Sequence, residues 1–151
     1  MEKLFVYYSL SGNGDAVAEE FSKHGYKTVR AEETKSMPKS MVARILKGGF
    51  LASIGHKSKI NDLGVDFSDC ERIVVGTPIW NAHLACAANT IIELLGDRTE
   101  GVDFVLYSGS GNAEKATAKL KEKFPAAKVL SLKQPLNEPE QTVKSIEDFV
   151  L

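Results

Sequence analysis

A chain of 151 residues, 43% hydrophobic and 26% charged, has the size and balance of one folded domain, neither a disordered chain nor two separate cores. Its formal net charge of -1 excludes the basic footprint of a nucleic-acid binder and a polybasic membrane anchor. No stretch approaches the ~20 apolar residues of a membrane span.

The opening MEKLFVYYS lacks the longer apolar stretch and small-residue cleavage site of a signal peptide. Cys70 and Cys86 form no CxxC pair, so the expectation is a reduced cytoplasmic protein in which both are buried thiols. The whole chain, 1–151, reads as one domain.

Lys3 to Tyr8 is apolar and β-prone and stops at a Ser/Gly/Asn cluster. From Asp15 to Lys23, Val17, Ala18 and Phe21 recur at helical spacing with charges opposite, which predicts an amphipathic helix. Lys27 to Ala31 is a weaker strand. Met41 to Ile54 sets Val42, Ile45, Leu46 and Phe50 on one face and predicts a helix interrupted or ended near Gly48-Gly49. Arg72 to Gly76 holds the buried run Ile-Val-Val. Ala85 to Leu95 then reads as helix, Asp103 to Tyr107 as strand and Glu114 to Phe124 as helix. Val129 to Leu132 is a short strand, and Glu140 to Val150 closes as helix. Strands alternating with helices predict an α/β fold, a parallel sheet covered on both faces.

Ligands of such sheets bind beyond the carboxyl ends of the strands, at the topological switch point. The loops after strands one, three and four therefore carry the functional expectation. The first is Ser9-Leu10-Ser11-Gly12-Asn13-Gly14. It joins a strand to a helix, so its backbone N–H groups and the positive end of the helix dipole converge on an anion site, with serine hydroxyls as further donors. Gly12 and Gly14 allow close approach of a phosphate, with no lysine or arginine inside the loop. The simpler alternative is an ordinary turn capped by Asn13 or Ser11. The second loop, Gly76-Thr77-Pro78-Ile79-Trp80-Asn81-Ala82-His83, carries the chain's only Trp, suited to stacking on a flat heteroaromatic ring. The third is Ser108-Gly109-Ser110-Gly111-Asn112.

Tyr8-Ser9-Leu10-Ser11-Gly12-Asn13 followed by Val17-Ala18 resembles the FMN phosphate loop of the flavodoxin family. Ser9, Ser11, Gly12 and Asn13 match its pattern of hydroxyl, variable residue, hydroxyl, Gly and Asn. Gly14 stands where the family usually has Thr, which implies one hydroxyl contact fewer with the backbone N–H kept. Gly-Thr-Pro-Ile-Trp is similar to the segment that lines the isoalloxazine, and Ser108 to Asn112 to the loop at its pyrimidine edge. Beyond Trp80 the family often has a proline-rich segment, where this chain has Leu84-Ala85-Cys86-Ala87. Leu46-Lys47-Gly48-Gly49-Phe50 also looks like a segment of some flavodoxin-like proteins.

The resemblance implies a three-layer sandwich around a five-stranded parallel sheet in the order 2-1-3-4-5. It implies FMN held by Ser9, Leu10, Ser11, Gly12, Asn13 and Gly14 at the phosphate. Pro78, Ile79, Trp80, Asn81 and Ala82, with Ser108, Gly109, Ser110 and Gly111, would lie at the ring. The Asn81-Ala82 peptide is then the candidate to offer a carbonyl to flavin N5-H on reduction, and His83 a candidate to tune the flavin edge. The implied role is an electron carrier between a reductase and an acceptor, monomeric or weakly dimeric, of the short-chain group. Trp80 stacking and a phosphate without lysine would favour a low potential. The alternatives are an FMN-dependent NAD(P)H or quinone reductase, and a flavodoxin-like domain that has lost FMN and serves as a binding module.

Gly12-x-Gly14 with Glu32 or Glu33 further on also mimics a dinucleotide fingerprint, but its third position falls on Val17. His24, His56 and His83 show no metal-ligand spacing.

Overall fold

The computed structural model describes residues 1–34 and 50–151. Its strands are β1 (Glu2–Tyr7), β2 (Lys27–Arg30), β3 (Cys70–Trp80), β4 (His83–Leu84), β5 (Val102–Ser108) and β6 (Val129–Lys133). Its helices are α1 (Asn13–Lys23), α2 (Cys86–Leu94), α3 (Glu114–Lys123) and α4 (Pro139–Val150). The sheet runs β2-β1-β3-β5-β6, with every neighbouring pair parallel. That is the expected order once β4, a two-residue strand antiparallel to the end of β3, is set aside.

The alternation of side chains along each strand divides the core between two faces. Leu4, Val6, Ile73, Val75, Phe104 and Leu106 point to one, where Ile91 and Leu95 and then Ala116 and Leu120 cover them. Phe5, Tyr7, Val74, Val105 and Tyr107 point to the other, under Val17 and Phe21 of α1 and Ile146 and Phe149 of α4. Phe21 stacks on Phe5 with ring centroids 4.4 Å apart. These runs are apolar on both sides because both faces are buried. Cys70 and Cys86 are buried thiols. Among the described residues no helix is long and apolar enough to cross a membrane.

Three expectations need correction. The third strand does not end at Gly76 but continues through Pro78, Ile79 and Trp80. Proline is tolerated there because β1 ends at Tyr7. Tyr8 N donates to Gly76 O and Ala85 N to Pro78 O, so the missing proline N–H faces the side that β1 has already left. Second, what reads as open loop after Trp80 is a hairpin turn into β4. Third, α1 starts at Asn13 rather than Asp15, so Asn13 and Gly14 belong to the helix. The expected helix Met41–Ile54 and the Leu46–Phe50 segment fall mostly outside the described residues; residues 50–53 are helical.

Candidate functional site

The carboxyl ends of β1, β3 and β5 lie side by side in the sheet, so the Ser9–Gly14, Trp80–His83 and Ser108–Asn112 segments share one edge. Ser9 organises the first of these. Its hydroxyl, on a residue only 2% exposed, accepts from Gly12 N at 3.1 Å and Gly14 N at 3.0 Å. Neither Ser11 nor Asn13 caps the helix. The N-cap is Gly12, left-handed at φ 91° with no side-chain cap bond. A side chain at Gly12 would be strained by that φ and would also meet Leu136 Cδ1 at 3.2 Å. The amides of Ser11, Asn13 and Asp15 find no acceptor among the described residues. Free donors at the start of an 11-residue helix form an anion cradle.

A polar network beneath this cradle escaped the sequence reading. Arg30, the last residue of β2, pairs in register with Tyr7 and so reaches the end of β1. Its guanidinium donates to both carboxylate oxygens of Asp15 at 2.6 Å and to Ser9 O at 2.6 Å. Tyr7 OH donates to Asp15 Oδ1 at 2.7 Å. Burial of Asp15 works against its charge, but the bonds from Arg30 and Tyr7 outweigh it and hold the carboxyl below its ordinary value. Burial and the bond to Asp15 push the Tyr7 hydroxyl up to about 12, so it stays a donor at neutral pH. The β1–β2 register could have found Arg30; its distance along the chain from the glycines hid it.

Gly14 has a different role from the one its place in the motif suggests. A Cβ there would stand 2.5 Å from Tyr107 OH, 2.7 Å from Ser9 Cβ and 2.9 Å from Tyr7 Cδ2. The position admits no side chain because Tyr107, fully buried in β5, sends its hydroxyl to Tyr8 O directly below it. Asn13 turns the other way: its Oδ1 accepts from Leu136 N at 3.1 Å, tying the β6–α4 connection to the cradle.

At the second segment, Asn81 and Ala82 have φ of 49° and 64°, a two-residue hairpin turn with both central residues left-handed. Asparagine adopts this readily and alanine does not. Trp80 is half-buried and meets the Tyr8 ring edge to face, centroids 5.8 Å apart, in a small apolar cluster with Leu10 and Ala85. Tyr8 OH donates to Glu33 Oε1 at 2.6 Å. Thr77, fully buried, accepts Ala85 N on its hydroxyl at 3.3 Å and so fixes the return of the hairpin. His83 lies opposite Trp80. Partial burial, then the charges of Lys115 and Lys119, depress its pKa.

At the third segment, Ser108 Oγ accepts Gly111 N at 2.9 Å, and Asn112 Oδ1 accepts Glu114 N at 3.1 Å where α3 begins. Gln134 Nε2 and Ser131 Oγ donate to the carbonyls of Gly109 and Gly111. Gly109 and Ser110 stay exposed. Between this segment and the hairpin lies a cavity of about 470 Å³ whose lining includes Ile79, Ala82, Ser108, Gly109 and Ser110. The expected residues thus line one edge of the sheet, with Pro78 set back inside β3.

The chain matches no family model and no curated protein. It is similar in structure to a flavoprotein from Lactobacillus acidophilus crystallised with FMN. The TM-score is 0.71 at 17% identity, covering 93% of this chain and 97% of that one. A Fusobacterium nucleatum flavodoxin bound to flavin mononucleotide gives 0.52 at 17% identity, over 99% and 95% of the two chains. Oxidised Flavodoxin 1 from Bacillus cereus gives 0.51 at 12%, over 99% and 97%. With its strand order, its two covered faces and near end-to-end alignment to these structures, the chain has the flavodoxin-like fold.

Proposed function

We propose that this chain binds FMN and carries electrons between a reductase and an acceptor protein in the cytoplasm. The observation that carries the reading is the convergence of an anion cradle of free backbone amides and the Trp80 hairpin on one sheet edge. The structural neighbours from L. acidophilus and F. nucleatum, each with FMN, support it.

The residues present fit the group. A phosphate would take the free amides of Ser11, Asn13 and Asp15 and the Ser11 hydroxyl, where Gly12 leaves the backbone bare. The ring would enter the space between Ile79 and Ala82 of the hairpin and the exposed Gly109–Ser110 backbone, with Trp80 and Asn81 on the same hairpin beside it. When bound, FMN supplies reversible one- and two-electron reduction. The protein's part is to hold it, to shield it from water with Trp80 and Leu10, and to present the Asn81–Ala82 peptide to its reactive edge. Arg30 spends its charge on Asp15, so among the described residues the phosphate would meet dipoles and hydrogen bonds rather than a dedicated cation.

The test is a visible absorption and fluorescence titration of the purified protein with FMN. Saturable uptake of one FMN per chain with quenching of flavin fluorescence is the expected result. Absence of flavin on purification together with absence of uptake would refute the proposal. NAD(P)H oxidation by the loaded protein with a quinone, and no partner protein, would replace the carrier role with a reductase.

A further inference from the structure

A second cavity, of about 300 Å³, lies beside the Asn81–Ala82 turn on the α2–α3 face of the sheet. Its floor is apolar: Leu84, Ile92, Ala116, Leu120 and Phe124. Its rim carries Lys115, Lys119 and Lys123, spaced four apart and therefore along one side of α3. All three are exposed. Among the described residues none lies within ion-pair distance of a carboxylate. Lys123 instead stands 5.4 Å over the Phe124 ring. Residues 35–49 contain Lys35, Lys39, Arg44 and Lys47 and no acidic residue, so that stretch holds no counter-ion for the rim.

A row of like charges repels itself, and an anion against it relieves that repulsion. An apolar floor beneath a cationic rim selects a molecule with both characters: a flat or compact hydrocarbon body carrying an acid group. The volume sits at the small end of ligand pockets, which run about 300–1,000 Å³. It suits a bicyclic body better than a long acyl chain, and an enclosed floor suits a small molecule better than a flat protein surface. Ala82 and Lys115 line both this cavity and the one between the hairpin and the Ser108–Asn112 segment, so the two spaces share a wall.

We propose that the cavity between α2 and α3 is a binding site for a small aromatic carboxylate, its ring on Leu84, Ile92 and Leu120 and its acid group on Lys115 and Lys119. The site is inferred without the cofactor reading and is tested by binding of the acid rather than by flavin uptake, so its failure and the failure of the cofactor reading are separate results.

The experiment titrates 2-naphthoate and its neutral counterpart 2-naphthamide, following backbone amide shifts by NMR. Saturable shifts at Leu84, Ala116 and Leu120 with naphthoate, and binding roughly tenfold weaker with naphthamide, are expected. A Lys115→Gln/Lys119→Gln variant should lose that preference while still binding naphthamide. Both lysines are exposed, and an unchanged amide spectrum elsewhere verifies the fold. Equal binding of acid and amide, shifts mapping to another surface, or no saturation would overturn the proposal. Tighter binding of a triglutamate peptide than of naphthoate would overturn it in favour of an acidic protein partner.

Discussion

Restoring a side chain at Gly14 should damage the protein, although the phosphate-loop pattern invites a threonine there. Gly14 is buried and its φ is not left-handed, so a glycine is not needed for backbone freedom. What opposes a Cβ is space: Tyr107 OH at 2.5 Å, Ser9 Cβ at 2.7 Å and Tyr7 Cδ2 at 2.9 Å. None of these is the free end of a flexible chain. Tyr107 is locked in β5 with its hydroxyl bonded to Tyr8 O, and Ser9 is held by two amides. Forcing a methyl into such a site costs about 1–3 kcal/mol. Replacing glycine by alanine in a helix interior returns up to ~1 kcal/mol, but Gly14 is in the first turn, where that gain is smaller. Gly14→Ala should therefore lose about 1–2 kcal/mol net, which lowers Tm by roughly 2–8 °C at this chain length. Thermal and urea unfolding followed by circular dichroism measure it. Tyr107→Phe removes the nearest atom, at a cost of about 1 kcal/mol for its hydrogen bond. Adding Gly14→Ala to that variant should then cost less than in the parent, a positive coupling in a double-mutant cycle. A Gly14→Ala protein as stable as the parent would refute the steric account, and additive losses would clear Tyr107 of blame.

Ala82→Gly relieves a left-handed alanine and should stabilise the fold by about 1 kcal/mol, read from the urea midpoint. Arg30→Gln removes the bonds to Asp15 and Ser9 O, so the Asp15 carboxyl should titrate higher by NMR than in the parent. The sign follows from its depressed native pKa. The ion pair's contribution is full above the ordinary carboxyl value of 3.8 and is lost as pH falls through the lower native one. The stability gap between the two proteins should therefore be about 1 kcal/mol wider at neutral pH than in strong acid, where only the loss of the Ser9 O bond remains. Lys115→Gln and Lys119→Gln should each raise the pKa of His83, seen as an upward shift of its imidazole titration. An unmoved titration would leave burial as the sole cause.

Much of the fold was legible because its core strands are uniform apolar runs. No inward face has to be chosen in a segment such as Phe104-Val105-Leu106-Tyr107, where both faces are buried. The hairpin was hidden for two reasons. Proline at 78 reads as a break unless the neighbouring strand is known to have ended, and Asn81-Ala82 lacks the glycine that usually announces a two-residue turn. The anion cradle was legible as a glycine and hydroxyl cluster after a strand, but its support was not. Arg30, Tyr107 and Leu136 reach it from β2, β5 and the β6–α4 connection, and only strand order and register bring them there. For the same reason Gly14 looked like a missing hydroxyl rather than a filled space.

The bond from Leu136 N to Asn13 Oδ1 spans 123 positions of sequence, and Phe149 of α4 closes over Phe21 of α1 with ring centroids 6.2 Å apart. A ribosome making this chain finishes the first glycine turn early and its last supports late. A nascent chain that has reached only Lys133 has the cradle's own residues in hand but neither the amide that holds Asn13 nor the helix that seats α1. The earliest-made part of the site thus takes its support from residues made more than a hundred positions later.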